Sequence, residues 1–422
     1  MKLVKNQLFR NIFLMSSATI IAQLINVLVQ PILTRIVPLE VLGEYTYLIS
    51  LANIIIPVAS LKLDMLIVSE KEESIAQYLT DACILICAFV SVLYLIVIGV
   101  GYLIGLEIFR SHGALIFIVP LVVFTNGVRF IFIGYNNRYK QYKVIGIVGI
   151  IRESARAIIQ LVSGIFSFGV FGQIIGYAIA PLWGFRRQTR DYLSSFKGRQ
   201  SIDKLRFVDM IKIGKQQILY LVPSQFINSF ANSIVIIFIS TLFTADQLGY
   251  YSAGTRLLEI PMIFIASSVS KVCYKQISED VANRRRTMKT FGGISAIIGS
   301  ISFAAFGMLF FIAPQFAGFV FGDGYEIAGT YIRCYCLMYA VRLVSTSFAG
   351  LFTIFSYQKY ELFVNIFLII CSVLCYIYAK LTGINMVNFL ILISVVYTIV
   401  YLSMWGGYFA LCYKHDLSLK QK

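Results

Sequence analysis

Charge is scarce in this sequence: 13% of the 422 residues are charged, and only 20 are acidic against 36 Lys and Arg. Water-soluble domains carry about a quarter charged residues, so a soluble enzyme of this length is excluded. Histidine is almost missing, with only His112 and His415, which leaves little room for histidine catalysis. No Walker A loop is present, since Gly214-Lys215 is followed by Gln216, and neither His-Glu-x-x-His nor a paired Asp-x-Asp for a metal-bound sugar nucleotide occurs. The short alternating segments of a transmembrane β-barrel are also lacking. We expect no catalytic residue, no metal ligand and no bound cofactor.

What the sequence does have is apolar length. Hydrophobic residues make up 59% of the chain, in unbroken runs such as Ala82 to Leu106. A bilayer crossing needs about 20 such residues. Twelve helical spans fit: 11–36, 45–68, 80–106, 114–135, 143–165, 167–184, 211–242, 248–274, 289–313, 328–356, 360–380 and 386–412. The fold class expected is therefore all-α integral membrane. Basic residues gather at the N-terminus, the even-numbered loops and the C-terminus, whereas Arg35, Arg110 and Lys380 fall on the other side. The positive-inside rule then puts both termini in the cytoplasm. The acidic loop Glu70, Lys71, Glu72, Glu73 dissents, but carboxylates count little in that rule. The richest basic stretches are Phe185 to Lys215 (Arg186, Arg187, Arg190, Lys197, Arg199, Lys204, Arg206) and Arg284-Arg285-Arg286. They are read as topology determinants facing anionic lipid, not as a nucleic-acid surface. The first apolar run is longer than a signal-peptide core and is expected to remain as an uncleaved span. The eight cysteines fall in or beside apolar helices, which argues for packing over disulfides or metal sites.

The longest polar linker lies near mid-chain, after the sixth span. It suggests an N-terminal six-helix bundle over 1–205 and a C-terminal one over 206–422. Leu42-Gly43-Glu44-Tyr45-Thr46 before the second span and Leu248-Gly249-Tyr250-Tyr251-Ser252 before the eighth form a fragmentary repeat that supports the division. Because six is even, both halves start on the same side, which gives parallel repeats about a pseudo-two-fold axis along the membrane normal and a cavity between them.

Ionisable residues inside the spans are the informative ones: Lys62, Asp64, Arg129, Arg152, Glu153, Arg156, Arg256, Glu259, Lys271, Arg333 and Arg342. A charge at the centre of a membrane helix costs roughly 2.5 to 3.5 kcal/mol on insertion scales, so it normally faces water or a partner. Arg152 lies roughly 13 Å into its span, and Arg156 and Arg342 roughly 20 Å into theirs. Lys62, Asp64, Lys271 and Arg333 are near enough to span ends to snorkel. Arg152, Arg156 and Gln160 share one face of the fifth span, which is read as a cavity lining. On the tenth span Arg342 is preferred to Arg333, with Ser345 and Thr346 placed to share a ligand oxygen with it. Arg256 and Glu259 are i,i+3 neighbours, and either neutralise each other or contribute to the lining. On the first span Gln23, Asn26 and Gln30 line one face, either to hydrogen-bond sugar hydroxyls or to bond neighbouring helices. Pro31 in the same span makes that helix a candidate moving part. Surplus arginine calls for an anionic substrate, and a diphosphate suits the planar guanidinium fork.

The run Gln30-Pro31-Ile32-Leu33-Thr34-Arg35, followed by Pro38-Leu39-Glu40 and Leu42-Gly43-Glu44-Tyr45, resembles the first hairpin of Wzx-type O-antigen flippases. These belong to the multidrug/oligosaccharidyl-lipid/polysaccharide (MOP) exporter superfamily. The resemblance implies two six-helix bundles in a MATE-like V shape. It also implies movement of undecaprenyl-diphosphate-linked oligosaccharide from the cytoplasmic to the periplasmic leaflet of a bacterial inner membrane, with polysaccharide-assembly proteins as partners. Without an ATP site, the driving force is an ion gradient, a partner or product consumption. Asp64, Glu153 and Glu259 are the candidates for H+ or Na+ coupling. The substrate contacts expected are Arg152, Arg156, Arg256, Arg342, Gln23, Asn26, Gln30 and Gln160. The alternatives are a MATE-like drug/ion antiporter, which would need surplus carboxylates in its cavity, and an integral-membrane glycan enzyme or polymerase, which would need an external-loop carboxylate. Glu40, Asp246, Asp323 and Glu326 are too scattered to supply one.

Overall fold

Long apolar stretches leave a chain in lipid no option but to satisfy its backbone hydrogen bonds internally, and every regular element of the computed structural model is helical among the described residues. The structure describes residues 2–194 and 212–420. The expected boundary at 205/206 and the basic residues Lys197, Arg199, Lys204 and Arg206 lie outside them. We number the long helices α1 (Lys2–Ile36), α2 (Leu39–Ile55), α3 (Glu73–Ile104), α4 (Val119–Arg138), α5 (Tyr142–Ile165), α6 (Gly169–Ile179), α7 (Val222–Leu242), α8 (Ala245–Pro261), α9 (Thr287–Phe321), α10 (Glu326–Ser347), α11 (Gln358–Thr382) and α12 (Met386–Lys420). They match the twelve expected spans. Ten segments are long and apolar enough to cross a membrane by themselves. The two others are α5, which carries Arg152, Glu153 and Arg156 within 24 residues, and the short α6.

Two compact units divide the chain, Met1–Thr241 and Leu242–Lys422. In the first, α1 packs along α5, and α4 is the buried centre, touching α2, α3, α5 and α6. Gly127 lets α4 approach closely: a Cβ there would sit 2.4 Å from Cys87 Sγ and 3.0 Å from Ala59 Cβ. The helix α1 runs unbroken through Pro31. The second expected span, by contrast, is interrupted. After α2 the chain makes a 3-10 turn at Ile56–Val58, takes Leu61 and Lys62 through left-handed φ of 51° and 60°, and restarts as a short helix Asp64–Ser69. Pro57 at the start of the 3-10 turn accounts for a break that hydropathy alone does not show. Arg138 holds the far end of the short helix, donating to the carbonyls of Ile67, Glu70 and Lys71.

In the second unit α10 is the buried centre, packed by α8, α9 and α12. The repeat motif Leu248-Gly249 falls at the fourth and fifth residues of α8, as Leu42-Gly43 does in α2, and both leucines are buried. Pro314 inside α9 lacks the N–H that the Phe310 carbonyl would accept. Arg333 of α10 replaces it, donating from Nε to Phe310 O at 2.8 Å and from Nη2 to Phe311 O at 2.9 Å. The role is structural rather than snorkelling. Gly329 allows the close crossing there, since a Cβ would meet Pro314 Cα at 2.3 Å. Asp416 near the end of α12 caps α9, accepting from the backbone N–H groups of Thr287 at 2.7 Å and Met288 at 3.1 Å.

Candidate functional site

The polar face of α5 meets α1, and a cluster of charges forms at that seam. Glu153 is its hub. Its Oε1 accepts from Arg152 Nε at 3.1 Å and Nη2 at 2.9 Å, and its Oε2 lies 2.7 Å from Arg156 Nη2 and accepts from Asn26 Nδ2 at 3.0 Å. Arg156 also donates to Asn26 Oδ1 and lies over the Tyr177 ring of α6, 5.4 Å from its centroid. Glu153 is the best buried of the three, with a side chain 9% exposed, while Arg152 and Arg156 keep 16% and 21%. The guanidinium groups therefore hold the carboxylate while their side chains stay partly exposed.

Arg129 of α4 adds a third positive charge. Its guanidinium lies 4.2 Å over the Phe130 ring, and its buried Nε has no hydrogen-bond partner among the described residues. Its electrostatic neighbours are Arg152, Arg156, Glu153 and Tyr177. Arg152 and Arg156 pair with Glu153 and Arg129 lies within its electrostatic reach, so among the described residues the cluster holds three guanidinium groups to one carboxylate, a surplus of positive charge at membrane depth. A full structural pairing would call for matching carboxylates. This cluster has unused donor capacity and can accept an anion.

The other α5 and α1 residues divide. Gln160 is buried, donating to Gln173 O of α6 at 3.2 Å while its own carbonyl accepts from Gln173 Nε2 at 3.0 Å, so it ties two helices together. Gln30 is buried and engaged, and Gln23 is half-buried. Asn26 alone of that face enters the charge cluster. Asp64 stands apart at the start of its short helix, accepting from Ser60 Oγ at 2.5 Å.

In the second unit, Arg342 of α10 lies between two phenol rings, 5.4 Å from the Tyr339 centroid and 5.7 Å from that of Tyr401. Its buried Nε and the buried Ser345 hydroxyl lack hydrogen-bond partners among the described residues. Thr346, expected to share a ligand, instead donates to the Arg342 carbonyl at 2.7 Å. Glu259 is exposed, with Arg342 and Arg256 as its electrostatic neighbours, and Arg256 is half-buried and already engaged. Of the two phenols around Arg342, Tyr339 is its i−3 neighbour on α10, whereas Tyr401 comes from another helix and has no signature in local spacing. Arg129 did carry one: it is a charge in an apolar span with no acidic residue three or four positions away. Among the described residues no group of three or more His, Cys, Asp or Glu could hold a metal, and all eight cysteines are free thiols.

Residues 32–329 match the family model described as "Polysaccharide biosynthesis protein". No curated protein sequence matches the chain. Among solved structures it is similar to the lipid II flippase MurJ in an inward closed conformation, at 14% identity and a TM-score of 0.72, over 96% of this chain and 90% of that one. It is also similar to a MATE family multidrug resistance transporter of the MOP superfamily in its inward-facing conformation, at 14% identity and a TM-score of 0.66, over 95% and 96%. A third likeness is to a MOP superfamily transporter from Pyrococcus furiosus whose binding pocket is described as reversed in polarity, at 14% identity and a TM-score of 0.56, over 97% and 95%. At these identities the likeness is one of fold, and the fold is that of multi-pass transporters.

Proposed function

The chain belongs to the polysaccharide biosynthesis protein family, and from that premise we propose that it translocates a polyprenyl-diphosphate-linked oligosaccharide across the membrane. The observation that carries this reading is the uneven ratio around Glu153, which pairs with Arg152 and Arg156 at the α1–α5 seam and has Arg129 of α4 within electrostatic reach. A diphosphate dragged through bare hydrocarbon would lose its hydration with nothing in return. Guanidinium forks return it as charge-assisted hydrogen bonds, and Asn26 offers a neutral polar contact beside them. The lipid tail remains in the bilayer and the head moves by alternating access. Within the second unit, Arg342, flanked by phenols, and Arg256 are the cationic groups offered to the substrate.

The finer assignments follow from the same reading. The sugar carried is an O-antigen or similar repeat unit, the membrane is a bacterial inner membrane with both termini cytoplasmic, and polysaccharide-assembly proteins are the working partners. For H+ or Na+ coupling, Glu153 is clamped by two guanidinium groups and Asp64 is held by Ser60, which leaves exposed Glu259, beside Arg342 and Arg256, as the best-placed group. Export of cationic drugs fits the fold but not the charge, since a cation would meet the surplus of arginine.

The test is translocation of a fluorescent polyprenyl-diphosphate oligosaccharide in proteoliposomes holding the full chain. Leaflet exchange above the protein-free rate is expected, with a loss of about tenfold or more in Arg129→Ala, in Arg152→Ala/Arg156→Ala and in Arg342→Ala. Exchange unchanged in all three would overturn the reading.

A further inference from the structure

The first unit contains a second feature that the charge cluster does not use. An apolar pocket of about 480 Å³ lies between α2, α3 and α7. One wall is a stripe on α7, Phe226, Phe230, Ile234 and Phe238, spaced i, i+4, i+8 and i+12 and so about 18 Å long. Opposite stand Leu93 and Val97 of α3, and Phe109 lies at the end marked by the α3–α4 turn. The one side-chain polar group in the lining, the Tyr94 hydroxyl, is already spent on the Leu51 carbonyl at 3.2 Å. Nothing is left to bind a sugar, a phosphate or an ordered water.

Two further observations say what such a pocket holds. Leu93, Val97 and Phe226 in its lining are 48%, 49% and 39% exposed on helices long and apolar enough to cross a membrane, so the pocket has an open side with no polar group on it. It is also joined to the anion-accepting cluster by one helix. Tyr45 of α2 is an electrostatic neighbour of Arg156, and Leu51, six residues along the same helix and so about 9 Å away, lines the pocket. An amphiphile with an anionic head and a long chain would set its head on the Tyr45 face of α2 and pass its chain about 120° round the helix to the Leu51 face.

We propose that the α2–α3–α7 pocket binds the isoprenoid chain of the lipid-linked substrate while its diphosphate occupies the arginine cluster. The inference rests on the flippase reading and extends it with a tail site. The chain gains packing against fixed rings, which fluid lipid does not offer, rather than a hydrophobic transfer from water. Occupancy by the tail would also hold the head near Arg156 and raise its local concentration there.

The full chain in nanodiscs is exposed to a polyprenyl diphosphate with a diazirine in its tail and, separately, to phosphatidylethanolamine with a diazirine in an acyl chain, at equal mole fraction. The polyprenyl probe should label 90–97 and 226–238 about tenfold more than the phospholipid probe, and unlabelled polyprenyl diphosphate should compete. Leu93→Trp and Ile234→Trp, two fillings from different walls, should each cut that labelling several-fold. Equal labelling by the phospholipid probe, or full labelling in either folded variant, overturns the proposal. Inorganic pyrophosphate binding is read in the same samples. Its absence alongside competed tail labelling supports the pocket and counts against the arginine cluster as head site, which separates the two failures.

Discussion

Replacing Glu153 by Gln isolates the anion-accepting role from a purely structural one. The substitution keeps shape and one hydrogen-bonding carbonyl for Asn26 or Arg152, but leaves Arg129, Arg152 and Arg156 with no counter-charge in their cluster. Each ion pair is worth about 4 kcal/mol at 4 Å in an effective dielectric near 20. Removing one partner of a buried pair costs about 3 to 5 kcal/mol. With the arginine side chains 16% and 21% exposed, water repairs part of the loss, and about 2 to 3 kcal/mol remains. A fall in Tm of about 5 °C is the expected readout in detergent. If the cluster receives phosphate, pyrophosphate restores the missing negative charge. At roughly 100 times its Kd it returns about 2.7 kcal/mol, and it binds the variant about tenfold more tightly than the unaltered protein. A structural cluster behaves otherwise: the variant loses stability and pyrophosphate restores none of it. That outcome, seen by thermal shift with sulfate as the control anion, would refute the reasoning.

Three other perturbations follow from single contacts. Arg333→Gln exposes the Phe310 carbonyl that Pro314 cannot serve, and should lower stability by about 1 to 3 kcal/mol without changing pyrophosphate affinity, measured by thermal unfolding and titration; a loss of affinity alone would contradict the structural role. Gly329→Ala places a methyl 2.3 Å from Pro314 Cα, backbone that cannot swing aside, and should destabilise the second unit by about 1 to 3 kcal/mol in the same unfolding assay. His112, in the α3–α4 turn, stacks on Tyr47 with centroids 4.1 Å apart, and burial holds its pKa below the ordinary 6.5. The unfolded chain then binds the proton more readily. Stability is full above about pH 6.5 and drains as the pH falls below it, and His112→Phe should flatten that slope between about pH 7.5 and pH 5.

Much of this fold could be read from hydropathy, because lipid permits few alternatives. The twelve helices fall within or across the expected spans, although α2 and α8 each stop about thirteen residues short of the expected end, and the repeat at Leu42 and Leu248 occupies equivalent helix positions. The break at Ile56–Leu63 was invisible to an apolar window: Pro57 and the left-handed Leu61 and Lys62 act through backbone geometry, not hydropathy. Within the charge cluster, helical spacing put Arg152 and Arg156 together but also added Gln160, whose amide turns to α6 instead. Glu153 lies off that face by one residue, yet a long side chain reaches both arginines. Spacing within a helix gives direction at the Cα, and the last few ångströms belong to rotamers and neighbours. The meeting of Arg129 with Arg152 and Arg156, and of Arg342 with Tyr401, brings together residues of different helices, which no single-helix pattern contains.

The central claim is that surplus guanidinium groups receive a diphosphate. Its most direct measurement is the affinity of the full chain for a short-chain prenyl diphosphate, the matching monophosphate and the free alcohol. The account predicts that affinity falls in that order, and that the difference between diphosphate and alcohol collapses in Arg129→Ala/Arg152→Ala/Arg156→Ala. Equal affinity for all three ligands, or a preference that survives the triple substitution, would contradict it.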